Sequence, residues 1–322
     1  MPVAASEPGQ GFELRRHNFG RQIYFYAPGL KRYQTAEFHP REPQGFVGVS
    51  ITGQECSLQC DHCQGKLLQS MWPAQGRGEL FALCQRLVAM GTRGVLISGG
   101  SDPRGRVPLL ERFEEIRRIK EELPLSVLVH TGLVDRELAL ALKTAAIDGA
   151  MIDIIGSDET IRGVCHLQAT TAEYEESLAS LTQAGVPTMP HIVLGLDHGR
   201  LVGEEVALDM AARYPVSVLV VVVLTPLAGT PMDEVAPPGE REIGCFLEKA
   251  RALLPRTPLV LGCARPAGER KAAIDRWAIR AGVNGIAYPA EGTVRYARRM
   301  GLEPRFYETC CALVPQEAVV SS

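Results

Sequence analysis

Three cysteines fall within eight residues, Cys56, Cys60 and Cys63 in the run CSLQCDHC. Thiolates are soft ligands. Three of them on one short loop can hold three corners of an iron–sulfur cube and leave the fourth iron open to a small molecule. One alternative is a structural zinc loop with its fourth ligand supplied from elsewhere. Zinc sites of that kind usually show two cysteine hairpins, and no second hairpin occurs. Another alternative is three ordinary buried thiols, against which stand the polar neighbours Gln54, Glu55, Gln59, Asp61 and His62. The chain has nine cysteines, an odd number, and its first residues lack the apolar core of a signal peptide. A cytoplasmic location is expected, where clustered cysteines serve metal or redox chemistry more often than disulfides.

The cysteine run must be positioned by the elements around it. Short runs rich in Val, Ile and Leu recur at 46–53, 94–100, 126–133, 149–156, 186–195, 217–226, 258–266 and 282–290. They show little polar alternation, the pattern of strands buried on both faces. Helical patterns lie between them. Residues 108–122 place Leu109, Phe113, Ile116 and Ile119 on one stripe. Residues 171–184 start at an N-cap threonine and align Tyr174, Leu178 and Leu181. Gly185, Gly282 and Gly301 sit where helices end. Eight strand–helix units predict an α/β fold, a (β/α)8 TIM-type barrel, over a doubly wound open sheet. The barrel spans 46–301, with an N-terminal extension at 1–45 and a C-terminal one at 302–322; residues 40–43 mark the first boundary. The cysteine loop then follows the first barrel strand and opens on the functional face.

Composition narrows the class. Of 322 residues, 46% are hydrophobic and 22% charged, as in a globular protein, and the net charge is −3. No basic excess points to nucleic acid or an anionic membrane. The longest mostly apolar run, 216–224, suits a buried strand and is far short of the ~20 residues of a membrane span.

A CxxxCxxC loop at the end of a first barrel strand resembles the radical S-adenosylmethionine (SAM) superfamily. The resemblance implies a [4Fe–4S] cluster on Cys56, Cys60 and Cys63, chelated at its fourth iron by SAM. It implies a 5′-deoxyadenosyl radical as the reactive product. His62, before the last cysteine, takes the place of a flat ring near the adenine. Ser98, Gly99 and Gly100 resemble the family's GGE-type element, whose backbone meets the SAM amino group; glycine permits that approach. Ser101 stands where the acidic residue is usual. Asp153, ending the fourth barrel strand, corresponds to a ribose contact. His191 and Gly195 resemble the segment running past the adenine.

Five segments carry a finer resemblance, to one subunit of the two-subunit, non-classical lipoyl synthases, which are biotin-synthase-like. They are HNFGRQIYFYAPG (17–29), DETIRGVCHL (158–167), PHIVLGLDHG (190–199), LGCARPAGER (261–270) and ETCCAL (308–313). This implies sulfur insertion into a protein-bound octanoyl chain, with a paralogous radical SAM subunit and a ferredoxin or flavodoxin as electron donor. No second cysteine triad occurs in 1–45, unlike single-chain lipoyl synthase. The second, third and fifth barrel strands lack the cysteines that biotin synthase carries there.

A sulfur donor would therefore be built from Cys165, Cys263, Cys310 and Cys311, from segments expected at one face, as a second (auxiliary) [4Fe–4S] cluster. Arg265 is expected as a further ligand or as partner to a carboxylate of substrate or cosubstrate. Cys84 and Cys245, inside helical patterns, read as core thiols. His130 and Thr131 end the third barrel strand as candidate functional residues. His166 reads as a surface residue or a ligand. Tyr24, Phe25 and Tyr26 read as packing. Two other readings stay open: another biotin-synthase-like radical reaction, such as a rearrangement or cofactor maturation, and a non-catalytic iron–sulfur or zinc scaffold or sensor.

Overall fold

A computed structural model of the chain describes residues 9–30, 32–40 and 44–315. Residues 41–43 of the expected boundary lie outside them, as do residues 316–322 of the C-terminal extension. Among the described residues one sheet of eleven strands forms, and all its pairings are parallel. The strands are β1 (Gln22–Tyr26), β2 (Phe46–Ser50), β3 (Trp72–Pro73), β4 (Gly94–Ser98), β5 (Ser126–His130), β6 (Gly149–Asp153), β7 (Thr188–Leu194), β8 (Leu219–Val223), β9 (Leu259–Leu261), β10 (Gly285–Ala287) and β11 (Glu303–Tyr307). All eight anticipated strands are present. The order is β11-β1-β10-β9-β8-β7-β6-β5-β4-β2-β3. From β4 to β10 each strand pairs with the next in sequence without reversal. Right-handed crossovers in such an order put every helix on the same face, as in a TIM-type barrel and unlike a doubly wound sheet. The edges β11 and β3 do not pair with each other, so the barrel is partial.

Strand residues alternate between two cores. Val47, Val95, Val127, Ile152 and Val221 pack outward under the helices. Phe46, Leu128, Met151, Val220 and Val260 pack inward. Burial on both faces is why these runs lack polar alternation. The stretch 1–45 supplies β1, which inserts between β10 and β11, and 302–322 supplies β11. The N-terminal tyrosines are packing residues: Tyr24 and Tyr26 point into the interior, and Phe25 lies under the helices.

Among the described residues ten α-helices accompany the strands, including α1 (Gln10–Phe19), α3 (Phe113–Glu122), α5 (Asp158–Gly163), α6 (Thr171–Gln183), α8 (Glu240–Leu253) and α9 (Glu269–Arg280). The helix in 108–122 starts later than its stripe suggests, after a 3-10 turn at Leu110–Arg112. Thr170 caps α6 in a reciprocal capping box with Glu173. Gly185, Gly282 and Gly301 adopt left-handed backbone at helix ends, with φ of 70°, 87° and 76°. One thiol departs from expectation: Cys84 is buried, but Cys245 on α8 is exposed. The buried stripe of α8 runs through Ile243, Phe246, Leu247 and Ala250, and position 245 falls off it. Among the described residues no helix is long and apolar enough to cross a membrane.

Candidate active site

The cysteine loop leaves the C-terminal end of β2 and is fastened on both sides. On the β4 side, the Ser57 N–H donates to the Ser101 carbonyl at 2.8 Å and the Gly100 N–H to Thr52 Oγ1 at 2.7 Å. A Cβ at Gly100 would sit 2.0 Å from the Glu55 carbonyl oxygen and 2.5 Å from Cys56 Cα. Only glycine lets the loop lie this close. The close approach anticipated for this glycine is thus made, in this structure, to the cysteine loop itself. On the β6 side, the Asp61 N–H donates to the Val164 carbonyl at 2.9 Å, and the Cys60 thiol to the Cys165 carbonyl at 3.6 Å. Gln59 and Gln64 are held at φ of 47° and 45°, a strained region for non-glycine residues.

The loop roofs a cleft of about 330 Å³ at the C-terminal ends of β2, β4, β5, β6 and β7. Cys56, Cys60, His62 and Cys63 line it from above. Ser98, Gly99, Gly100, His130 and Asp153 line it from the strands. Its walls are mostly apolar, with Leu96, Val107, Ile155, Val193 and Leu196 among them, and among the described residues no Lys or Arg lines it.

One charged group stands out in that apolar setting. Burial would push the Asp153 carboxyl up, but His130, His191 and His62 together outweigh it and hold the group at about 2. Asp153 Oδ2 lies 3.5 Å from His130 Nε2. Burial opposes charge on His130 too, yet Asp153 raises its pKa. His191 behaves oppositely. Burial dominates and lowers it to about 4, and its Nδ1 lies 3.0 Å from the Met189 carbonyl. That contact assigns the proton to Nδ1 and leaves Nε2 as an acceptor. The His130 and His191 rings lie 6.0 Å apart, edge to face.

The donor set suits a cationic cluster. A hydrogen bond to Cys165, with burial, raises the Cys60 thiol, and the bond to Cys60, with burial, raises Cys63. Thiols raised in this way become thiolates only beside a compensating positive centre, which a bound cluster would supply. The Nδ1 atom of His62 is buried with no hydrogen-bond partner, which leaves it available to a bound group. Among the described residues no three metal-ligating side chains already converge as a cage, so the thiols must turn to take iron.

The remaining anticipated residues divide. Cys263, Cys310 and Cys311 come together inside the barrel beside Tyr24, Tyr26 and Tyr288. The Cys311 thiol hydrogen-bonds Cys263 and Cys310, and these bonds with burial raise it well above the usual range. Cys165 does not join them; it lines the first cleft next to Cys60. Arg265 is a correction. Its guanidinium is wholly buried and bound by the protein itself, to Asp275 Oδ1 at 2.8 Å and to the carbonyls of Gly262 and Tyr288 at 2.9 Å. Its strand-end position is as anticipated, but α9 supplies the carboxylate that was assigned to a ligand. Two residues that sequence reasoning passed over also belong here. Tyr174, read only as part of a buried helix stripe, lines the cleft. Asp61 pairs with His166 across 2.9 Å.

The family profile described as the Radical SAM superfamily matches residues 50–200. A biotin synthase of Cenarchaeum symbiosum is 31% identical over 193 residues, covering 56% of this chain and 57% of that protein. The match thus spans little more than half of that relative's length. A biotin synthase of Desulforudis audaxviator is 28% identical over 236 residues, covering 69% of this chain and 68% of its own. The FeFe-hydrogenase maturase HydG from Carboxydothermus hydrogenoformans superposes with a TM-score of 0.63 at 16% identity, over 92% of this chain and 71% of that one. Residues 50–200, which carry the cysteine loop and the strands lining the cleft, are thus similar to the radical SAM superfamily, and the chain is similar to biotin synthases over a longer stretch.

Proposed function

We propose that this protein inserts sulfur into an octanoyl chain carried on a protein, forming the lipoyl group, together with a paralogous radical SAM subunit. A ferredoxin or flavodoxin supplies electrons. The observation that carries the reading is the meeting of Cys263, Cys310 and Cys311 inside the barrel, apart from the Cys56–Cys60–Cys63 loop. Two separate thiol groups suit one cluster for radical generation and another as sulfur source.

Cys56, Cys60 and Cys63 hold the first [4Fe–4S] cluster; with SAM bound to it, the pair supplies a one-electron cleavage of the sulfonium and a hydrogen-abstracting radical. The chain's own part is positioning. Asp153, anionic down to about pH 2, accepts from ribose hydroxyls, and His130 steadies it. His191 stays neutral and offers Nε2 as an acceptor. The apolar walls exclude water, and the lack of lining Lys or Arg among the described residues favours a chain in amide linkage over a free carboxylate.

The test is anaerobic. The reconstituted protein receives SAM, dithionite and an octanoyl-lysine peptide, with and without the paralogous subunit, and mass spectrometry follows peptide and 5′-deoxyadenosine. A peptide that gains sulfur supports the reading. Deoxyadenosine without sulfur contradicts the lipoyl assignment and leaves a radical enzyme of another substrate. Neither product from a fully loaded protein contradicts both.

A further inference from the structure

We infer that Asp61 and His166 form a latch that sets the cluster loop against the loop following β6, making both of them positioning residues for the SAM site. The inference rests on the reading that Cys56, Cys60 and Cys63 hold the cluster. Asp61 lies between Cys60 and Cys63, and its Oδ1 is 2.9 Å from His166 Nε2. Its own N–H donates to the Val164 carbonyl at 2.9 Å, so backbone and side chain of one residue grip the same turn. The next residue back, Cys60, directs its thiol at the Cys165 carbonyl. Three consecutive residues of the β6 loop, Val164, Cys165 and His166, thus receive two consecutive residues of the cluster loop.

His166 is held at φ 54°, a left-handed conformation that costs a non-glycine residue about 1 kcal/mol or more. The strained turn aims the ring back at Asp61. The loop it ends begins at Asp153, the carboxylate facing the cleft, and passes through α5. The latch therefore ties the iron-binding side of the cleft to its ribose-binding side. Outer groups that orient metal ligands commonly change affinity about 10–100-fold when removed.

The variants are Asp61→Asn, Asp61→Ala, His166→Ala and His166→Gln, with Arg162→Ala as control on the exposed face of α5. Each is reconstituted anaerobically. Three quantities are read: iron release to a chelator, SAM affinity by equilibrium dialysis, and the change that SAM induces in the electron paramagnetic resonance of the reduced cluster. Asp61→Ala and His166→Ala are expected to release iron about tenfold faster and to blunt the SAM-induced spectral change. His166→Gln, which keeps a donor, recovers part of both. Thermal midpoints stay near wild type, because the pair is partly exposed. Wild-type retention and spectra in both alanine variants would overturn the latch alone. A wild-type protein that takes up no iron, or whose spectrum ignores SAM, would overturn the latch and the underlying reading together.

Discussion

The two thiol groups of this protein are built in opposite ways. Cys56, Cys60 and Cys63 sit on one loop at the rim, each partly exposed, and backbone bonds to the loops after β4 and β6 hold that loop in place. Cys263, Cys310 and Cys311 come from two distant segments. Cys310 and Cys311 are fully enclosed, with tyrosines around them. A rim site with an open side suits a cluster that must admit a cosubstrate. An enclosed site suits one that must be kept from water until a substrate radical reaches it. Spacing alone builds the first group; only the addition of β1 and β11 beside β10 builds the second.

The largest expected effect separates the two groups. Alanine at Cys56, Cys60 or Cys63 should abolish 5′-deoxyadenosine formation, measured by mass spectrometry. Serine at Cys263 or Cys311 should leave deoxyadenosine formation near wild type while sulfur transfer disappears. Equal loss of deoxyadenosine in both sets would erase the distinction.

A second prediction concerns what holds the enclosed group. Asp275 accepts from Arg265 and Thr293 Oγ1, both buried, and from the half-buried Ala290 N–H. Asp275→Asn leaves the Arg265 charge without its partner and should cost about 3–5 kcal/mol in chemical denaturation. A loss below about 1 kcal/mol would mean the pair does not brace the Cys263 turn.

At the rim the corresponding lever is pH. The unfolded chain protonates His191 near 6.5 and the folded one only near 4. Protons therefore favour the unfolded state, and stability falls as pH drops from about 6.5 toward 4, by up to roughly 3 kcal/mol. His130, raised by Asp153, works in the opposite sense: its contribution is present below 6.5 and fades as pH rises through its folded value. Urea midpoints at pH 7 and 5 should therefore differ less in His191→Asn, and the difference between the two proteins isolates the His191 share.

The smallest effect is at the join between loop and strand. Gly100→Ala drives a methyl into the Glu55 carbonyl and Cys56 Cα. It should cost about 1–3 kcal/mol and lower iron loading. Gly163→Ala, where a Cβ meets nothing within 4 Å, is the matched control.

How much of this was legible in the sequence follows the same division. The eight strand runs and the CSLQCDHC loop are local patterns, and each appears where it was expected. The strands β1 and β11 were passed over because they pair across most of the chain length, which no local period reports. Cys165 and Arg265 were misjudged for one reason. Both end up at the correct end of the barrel, but the partner each takes there lies elsewhere in the sequence: Cys60 for one, Asp275 for the other. Cys245 was misjudged by a single helical step. The Asp61–His166 pair joins residues 105 apart, and nothing in either segment alone announces it.

The most direct test of the central claim is an anaerobic count of iron and sulfide, paired with SAM cleavage, in wild type and in a variant carrying serine at Cys263, Cys310 and Cys311. Two clusters predict about eight irons per chain in wild type, and about four in the variant with SAM cleavage intact. About four irons in both proteins would contradict the second cluster and the sulfur-insertion reading with it.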